Sequence, residues 1–243
     1  GAGGIAVFCA KPVGVSALET LRDAGVPISS VITVSGEAEA ELKNLTIELN
    51  TPFYSDLDLK VEDVASELLS HGPSAAMSIS YPNRIPVTLL NQFPGGAFNF
   101  HPARLPQYRG CFPTFWPILK GDSEADYTMH IMEEGFDTGP VVDRETLQIE
   151  DGETGWSLYL RLVEALPNLI CRNVGNVLAG RCHGQIQDEA KAEYFSNTLP
   201  HDGVVDWHWS GKQIGRFVRA LYHPVFSGAK ALINNIQVEI LQI

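Results

Sequence analysis

Short apolar runs alternate with segments of helical periodicity along much of the chain. The apolar runs predict strands over residues 5–9, 28–34, 75–80, 97–100, 127–132 and 141–149. Periodic apolar positions predict helices between Ser16 and Gly25 and over residues 38–49, 61–71, 154–178 and 211–221. The alternation predicts an α/β, Rossmann-like fold, in which a mostly parallel sheet carries helices on both faces.

Local signals predict where two of these helices begin or bend. Ser16, followed three residues later by Glu19, has the spacing of a capping box and predicts the start of the first helix. Pro167 lies inside the pattern of residues 154–178, where it predicts a kink or a split into two helices. Short strands and turns dominate after residue 190. We therefore expect a main domain over residues 1–189 and a small C-terminal subdomain or tail over residues 190–243.

Composition excludes several classes of function. The 243-residue chain has a formal net charge of −12, which argues against DNA or tRNA as the main partner, because phosphate contacts need a surplus of Lys and Arg. Its apolar runs are too short to cross a bilayer, and we expect no membrane association and no export signal. The four cysteines form no Cys-x-x-Cys pair, so we expect a reduced, cytoplasmic setting with Cys9 as a buried thiol.

The glycines at positions 1, 3 and 4 invite comparison with a dinucleotide-binding loop. Such a loop needs its glycines between a strand and the helix that follows, whereas these precede the first predicted strand. The turn after that strand, residues 10–14, lacks the triple-glycine pattern. The sequence therefore argues against an NAD enzyme.

The most informative run is Asn99-Phe100-His101-Pro102, at the end of a predicted strand. Side chains alternate along a strand, so Asn99 and His101 share one face while the phenylalanines face the core. Ligands of open α/β sheets bind at the carboxyl ends of the strands, where this polar pair lies. Taken alone, an Asn-x-His pair is more often two hydrogen-bonded side chains than a catalytic pair.

Two further runs follow, Leu105-Pro106-Gln107-Tyr108-Arg109-Gly110 and Glu134-Gly135-Phe136-Asp137-Thr138-Gly139. Each alone could be an ordinary loop or turn. The spacing of Asp137 from the preceding glutamates lacks the ligand ladder of a calcium-binding loop, and we expect no metal site. Together the runs supply an amide, an imidazole and a carboxylate, which can move an acyl group onto an amine.

With these runs in this order, residues 5–180 resemble the formyltransferase family that uses N10-formyltetrahydrofolate. The family pattern is Asn-x-His-Pro, a Leu-Pro-x-Tyr-Arg-Gly-like loop and Asp-x-Gly after a further strand. The resemblance implies that Asn99, His101 and Asp137 are catalytic. Histidine has an ordinary pKa near neutrality, so His101 suits deprotonation of the acceptor amine. Asn99 can donate to the developing oxyanion, and Asp137 can orient the imidazole and favour its cation.

The resemblance also implies a folate site formed by backbone on two loops. These loops map to residues 81–86 and 131–137. The expected cofactor-binding residues are Tyr81, Arg84, Ile85, Pro86, Ile131 and Glu134. For Ile85 and Pro86, simple loop packing is an equal alternative.

The aromatic stretch at residues 112–116 and the tail after residue 190 most resemble bacterial nucleotide-sugar N-formyltransferases, in particular those acting on GDP-perosamine. The resemblance implies a GDP- or dTDP-linked amino-dideoxy sugar as acceptor, O-antigen or surface glycan synthesis, and a homodimer. A nucleotide sugar offers a base to stack and a diphosphate to pair. Stacking candidates are Tyr108, Trp116 and Tyr222, and diphosphate candidates are Lys11, Arg84, Arg109 and Arg219. Trp116 could equally be a core aromatic, and Arg219 could equally pair with a carboxylate.

Three alternatives stay open at this level. The acceptor amine could belong to an amino acid on a carrier protein or to methionyl-tRNA, although a basic C-terminal domain for tRNA is not evident. The chain could hydrolyse formyltetrahydrofolate, but the extra N-terminal domain of such enzymes is not evident either. It could also bind folate without turnover, which an intact Asn–His–Asp set argues against.

Overall fold

The computed structural model describes residues 3–234 and 236–240, so Gly1 and Ala2 of the opening glycine run lie outside the described residues. The strands are β1 (Ile5–Cys9), β2 (Ile28–Thr33), β3 (Phe53–Ser55), β4 (Ala75–Ile79), β5 (Ala97–His101), β6 (Arg109–Gly110), β7 (Glu124–Ile131), β8 (Val141–Gln148), β9 (Tyr194–Phe195), β10 (Ala229–Ile233) and β11 (Ile236–Ile240). The α-helices are α1 (Lys11–Asp23), α2 (Glu39–Glu48), α3 (Glu62–Ser70), α4 (Val87–Leu90), α5 (Phe115–Lys120), α6 (Gly155–Leu178) and α7 (Gly211–Leu221).

Seven strands form the central sheet, in the order β3-β2-β1-β4-β5-β7-β8. The pairings β1–β2, β2–β3, β1–β4 and β4–β5 are parallel, and β5 pairs with β7 in the antiparallel direction. The predicted mostly parallel, Rossmann-like α/β sheet is thus confirmed. Because β1, β4 and β5 run in the same direction, their carboxyl ends share one edge of the sheet, the edge at which open α/β sheets bind ligands.

Neighbouring residues of β1 show that helices cover both faces of this sheet. Phe8 belongs to a buried cluster that includes Leu68 of α3 and Leu89 of α4. Cys9 points to the opposite face, where its backbone and Cβ approach Gly14 of α1. Burial also raises the pKa of the Cys9 thiol to about 12, as expected for a buried cysteine.

The first helix begins five residues before the predicted capping box. α1 starts at Lys11 with Pro12 in its first turn, and its N-cap residue Ala10 makes no side-chain cap. Ser16 lies inside the helix, where its carbonyl accepts a hydrogen bond from the Thr20 hydroxyl. The capping-box interpretation of Ser16 and Glu19 was therefore wrong, because proline is favoured at the start of a helix and burial of Val13 extends the helix backwards.

Other boundaries follow the sequence prediction closely. α7 spans the predicted residues 211–221, and its N-cap Ser210 forms a capping box with Gln213. α6 is one helix with Pro167 inside it, so the predicted split does not occur. Among the described residues, none of the helices is both long and apolar enough to cross a membrane.

The chain divides into two compact units. Unit 1 comprises the chain up to His101 together with residues 128–145 and 165–187. It holds β1 to β5, residues 128–131 of β7 and residues 141–145 of β8. Unit 2 comprises residues 102–127, residues 146–164 and the chain from Asp188 onward. The expected boundary at residue 190 stays a prediction.

Unit 2 contains two small sheets, helices α5 and α7 and the first part of α6. β6 pairs with β9 in parallel, and β10 pairs with β11 as an antiparallel pair. Phe115 of α5 and Phe217 of α7 are buried and meet edge to face with ring centroids 6.4 Å apart. The short strands and single helix expected near the C-terminus are therefore present.

We expect Phe8→Ala to destabilise unit 1 by about 3–5 kcal/mol, because the substitution leaves a cavity in a fully buried site. The Phe8 ring lies edge to face against Tyr81 and Phe93, at 5.5 and 6.4 Å. Urea unfolding followed by circular dichroism measures the change. Ile47→Ala, on an exposed position of α2, is the control and should change the free energy of unfolding by less than about 0.5 kcal/mol. Equal effects of the two substitutions would contradict this account of the core.

Candidate active site

The polar pair of the Asn-x-His run lies at the carboxyl end of β5 in unit 1. Phe98 and Phe100 are buried on one face of the strand, at 1% and 2% exposure. Asn99 and His101 therefore share the other face, as the alternation predicts. His101 is itself 7% exposed and is followed by Pro102, which ends the strand because it cannot donate to the ladder.

The predicted carboxylate lies on the loop between β7 and β8, which we call the Asp137 loop (residues 132–140). Asp137 has a φ of 57°, a left-handed conformation that is uncommon for a residue other than glycine. The loop is closed at its base by a hydrogen bond from the Ile131 amide to the Pro140 carbonyl, at 2.9 Å. Gly139 packs so closely there that a Cβ would lie 1.8 Å from the Ile131 carbonyl oxygen. Only glycine fits this approach.

Within unit 1 the structure brings the three predicted catalytic side chains together. Oδ1 of Asp137 lies 3.8 Å from Nδ1 of His101, and 3.5 Å from Nδ2 of Asn99. The side chains of His101 and Asp137 are only 9% and 12% exposed, so little water screens this pair. The carboxylate can therefore stabilise an imidazolium at His101.

A second histidine completes the cluster and was missed in the sequence analysis. His130 of β7 is 2% exposed, and the antiparallel register places it directly opposite Asn99. Its Nε2 lies 3.2 Å from Nδ2 of Asn99 and 3.4 Å from Oδ1 of Asp137. Its Nδ1 lies 2.9 Å from the Ile131 carbonyl oxygen.

The Ile131 carbonyl assigns one hydrogen atom of the cluster. A carbonyl oxygen only accepts, so Nδ1 of His130 carries a hydrogen and donates to Ile131. Nε2 of the neutral ring accepts a hydrogen bond from the Asn99 amide, whereas Nε2 of the cationic ring would donate to Asp137. The bond from Asn99 turns its NH₂ group toward His130 and Asp137. Nδ2 of Asn99 lies 3.5 Å from Oδ1 of Asp137, at the outer limit of a hydrogen bond, so its second hydrogen can be donated to a ligand oxygen.

The two loops predicted to hold a folate meet each other in unit 1. Nη2 of Arg84 donates to the Glu134 carbonyl at 2.6 Å, and the Arg84 guanidinium lies 5.6 Å from the Phe136 ring centroid. Phe136, a further residue missed in the sequence analysis, is 55% exposed and offers a flat apolar surface. Pro86 immediately precedes α4, and Ile131 is the last residue of β7.

Two residues of the first loop are part of the core. Ile85 is 4% exposed and belongs to the cluster around Phe8, and Tyr81 packs against that cluster. Burial raises the pKa of the Tyr81 hydroxyl. Their side chains therefore anchor the loop, and a ligand would meet the loop through its backbone.

Five of the seven predicted substrate-binding residues lie in unit 2, whereas Arg84 and Lys11 lie in unit 1, with Lys11 at the carboxyl end of β1. Tyr108 is 4% exposed, donates its hydroxyl to Asp122, and stacks on Phe195 with ring centroids 6.1 Å apart. Burial and the Asp122 carboxylate raise the pKa of that hydroxyl. Trp116 also stacks on Phe195, at 4.0 Å, and donates its indole N–H to the Cys111 carbonyl. Both rings thus have protein partners.

The remaining three residues of unit 2 differ in their surroundings. Arg109 is 6% exposed and forms a two-pronged ion pair with Glu189, at 2.6 and 3.1 Å. That hydrogen bond lowers the pKa of the Glu189 carboxyl. Arg219 is partly buried on α7, and Tyr222 is 52% exposed. Their substrate-binding roles stay predictions.

Metal ligands were not expected from the sequence. In the part of the chain that the structure describes, no group of three or more His, Cys, Asp and Glu side chains could hold a metal ion. The cysteines at positions 9, 111, 171 and 182 carry free thiols.

Comparisons with known proteins show the family of the chain. Residues 2–174 match the model of the family described as formyl transferase. A methionyl-tRNA formyltransferase from Marinobacter nauticus is 31% identical over 223 residues, which cover 88% of this chain and 72% of that protein. A 4-N formyltransferase from Francisella tularensis has a similar fold, with a TM-score of 0.79 at 17% identity over 100% of this chain and 99% of that one.

A second solved structure is similar over nearly the whole chain. The N-formyltransferase from Helicobacter canadensis, in complex with folinic acid and dTDP-3-aminofucose, has a TM-score of 0.77 at 17% identity. The alignment covers 98% of this chain and 86% of that one. At such identities the likeness to solved structures shows the fold. The family model, however, matches well over half of the sequence, so the chain belongs to the formyl transferase family.

Proposed function

We propose that this protein transfers the formyl group of N10-formyltetrahydrofolate to the amine of a nucleotide-linked amino sugar. One observation carries the proposal: Asn99, His101 and Asp137 meet in one poorly hydrated cluster at the edge of the sheet where α/β folds bind ligands. These groups are an oxyanion donor, a base and a carboxylate that stabilises the protonated base, the set that acyl transfer to an amine requires.

Each side chain has a distinct role in the proposed reaction. The acceptor nitrogen forms a bond to the formyl carbon while His101 removes its proton, and positioned proton transfer of this kind contributes about 10²–10⁴ in rate. Negative charge develops on the formyl oxygen, where the Asn99 N–H donates a hydrogen bond. Asp137 stabilises the imidazolium until the bond between the formyl carbon and N10 breaks and N10 of tetrahydrofolate takes the proton from His101.

The residues present fit a folate donor, which supplies the formyl group as a substrate. A pterin is flat and carries several hydrogen-bonding atoms. The two loops joined by Arg84 and the Glu134 carbonyl offer backbone groups for those atoms, and Phe136 offers an exposed ring. In the fold relative from Helicobacter canadensis, folinic acid is bound.

An amino sugar on a nucleotide is the acceptor class we favour. The fold relatives that align with this chain nearly end to end include a 4-N formyltransferase and an enzyme bound to dTDP-3-aminofucose. The relative of 31% identity acts on methionyl-tRNA, but a net charge of −12 is unsuited to a large polyanion. A 4-amino-dideoxy sugar such as GDP-perosamine, a cytoplasmic homodimer and a role in O-antigen or surface glycan synthesis complete the proposal.

A transfer assay tests the proposal directly. We expect the purified protein, given N10-formyltetrahydrofolate, to add one formyl group to an amino sugar linked to GDP, dTDP or UDP, as read by mass spectrometry. Methionyl-tRNA and a carrier-bound amino acid are included as competing acceptors. Product on either of these alone would overturn the sugar assignment, and the absence of product on every acceptor would overturn formyl transfer.

We expect His101→Asn to reduce formyl transfer by about 10²–10⁴-fold, because asparagine fills the space but does not take the proton. Single-turnover transfer and circular dichroism measure activity and folding together. His183→Asn, at an exposed position, is the matched control and should keep wild-type activity. Wild-type turnover of the His101 variant would show that another group is the base.

We expect Asp137→Asn to lower kcat by about 10²-fold or more, because an uncharged amide no longer stabilises the imidazolium. The pH–rate profile of this variant should differ in shape from that of the wild type. Asp63→Asn, an exposed position on α3, controls for loss of a carboxylate elsewhere. A pH–rate profile that coincides with that of the wild type would show that Asp137 does not stabilise the imidazolium of His101.

A further inference from the structure

Asp137 is held in a conformation that its own sequence does not favour. Its φ of 57° is uncommon outside glycine, and such a residue persists only where its surroundings determine it. β7 ends beside the start of β5, with Ile131 opposite Phe98, so the Asp137 loop must fold back along the polar face of β5 to reach His101. The loop therefore needs support from outside itself.

The segment that follows α6 supplies this support. Residues 184–187 run beside the end of the Asp137 loop, and Gln185 forms a reciprocal backbone pair with Val141, both hydrogen bonds measuring 2.8 Å. Gly184 lies against Pro140, so closely that a Cβ would be 2.5 Å from the proline Cβ. This close registration fixes where Gln187 meets the loop.

The Gln187 side chain contacts the backbone on both sides of Thr138. Gln187 is 6% exposed, and its Nε2 lies 2.8 Å from the Asp137 carbonyl oxygen and 2.7 Å from that of Gly139. Both neighbours are acceptors, so the amide nitrogen must face them, and each of its two hydrogens has one carbonyl. The two bonds fix the peptide planes that follow Asp137 and Gly139.

We propose that Gln187 is a positioning residue for the reaction, because its amide clamps the Asp137 loop and thereby holds the Asp137 carboxylate toward His101 and Asn99. The inference rests on the proposed function for its kinetic consequence, but not for the clamp itself. Gln187 lies 13 residues beyond the part of the chain that matches the family model, which ends at residue 174.

Two variants separate the clamp from simple packing. Gln187→Met keeps the length of the side chain and removes both donors. Gln187→Glu keeps its shape but faces two carbonyls with a carboxylate. Gln185→Met is the matched control, because the Gln185 side chain is exposed and only its backbone pairs with Val141.

Hydrogen–deuterium exchange tests whether Gln187 holds the Asp137 loop, and it needs no enzyme activity. We expect the amides of residues 133–139 to exchange faster in both Gln187 variants, and at the wild-type rate in Gln185→Met. Unchanged exchange in the Gln187 variants would overturn the clamp. If the wild type transferred no formyl group to any acceptor, the proposed function would fail while this measurement still decided the clamp.

Steady-state kinetics of formyl transfer test the positioning role of Gln187. In Gln187→Met we expect kcat to fall by about 10²-fold, the effect typical of a small misplacement of a catalytic group, with KM for both substrates within about twofold of wild type. In the Asp137→Asn background the same substitution should have little further effect, because both act through one carboxylate. An unchanged kcat, or an equal fold loss in both backgrounds, would overturn the positioning role.

Discussion

The antiparallel pairing of β5 with β7 is the constraint on which the rest of the site depends. It places His130 directly across from Asn99, so that the Asn99 amide has a hydrogen-bond acceptor on the neighbouring strand. It also brings the end of β7 beside the start of β5, away from His101. The chain can return a carboxylate to His101 only by folding the Asp137 loop back over the same polar face. This fold-back requires a left-handed backbone conformation at Asp137 and a close approach of Gly139 to the Ile131 carbonyl.

Local patterns in the sequence predicted the two site residues that lie on a single strand, Asn99 and His101 of β5. The alternation along β5 puts Asn99 and His101 on one face whatever the neighbouring strands are. His130 and Gln187 could not be found this way. His130 lies beside Asn99 only because β7 pairs with β5 in the antiparallel direction, which local patterns do not show. Gln187 contacts a loop about fifty positions earlier in the chain. At Ser16 a local pattern misled the prediction. The capping box predicted a helix start there, but the helix begins earlier, at a proline-containing first turn, and buries Val13.

The loop at residues 81–86 and the hydrophobic core are parts of one arrangement. Tyr81 packs edge to face on Phe8, and Ile85 lies in the same cluster as Leu68 and Leu89. Their burial fixes the backbone between them, because core side chains sit in close-packed positions and do not drift. Stability of unit 1 and the position of the loop that we propose to meet the pterin therefore rest on the same residues.

Arg109 shows how the acidic composition bears on an anionic substrate. Its guanidinium is 7% exposed, whereas the Glu189 carboxylate that neutralises it is 71% exposed. A buried guanidinium is costly without an anionic partner, and the Glu189 carboxylate supplies one to Arg109. Arg109 also lowers the pKa of Glu189, which keeps this partner ionised into acidic solution. A diphosphate bound at Arg109, as we propose, would compete with this carboxylate, most of which already lies in water. A buried arginine can thus be kept in a chain of net charge −12 with a carboxylate partner in the folded protein.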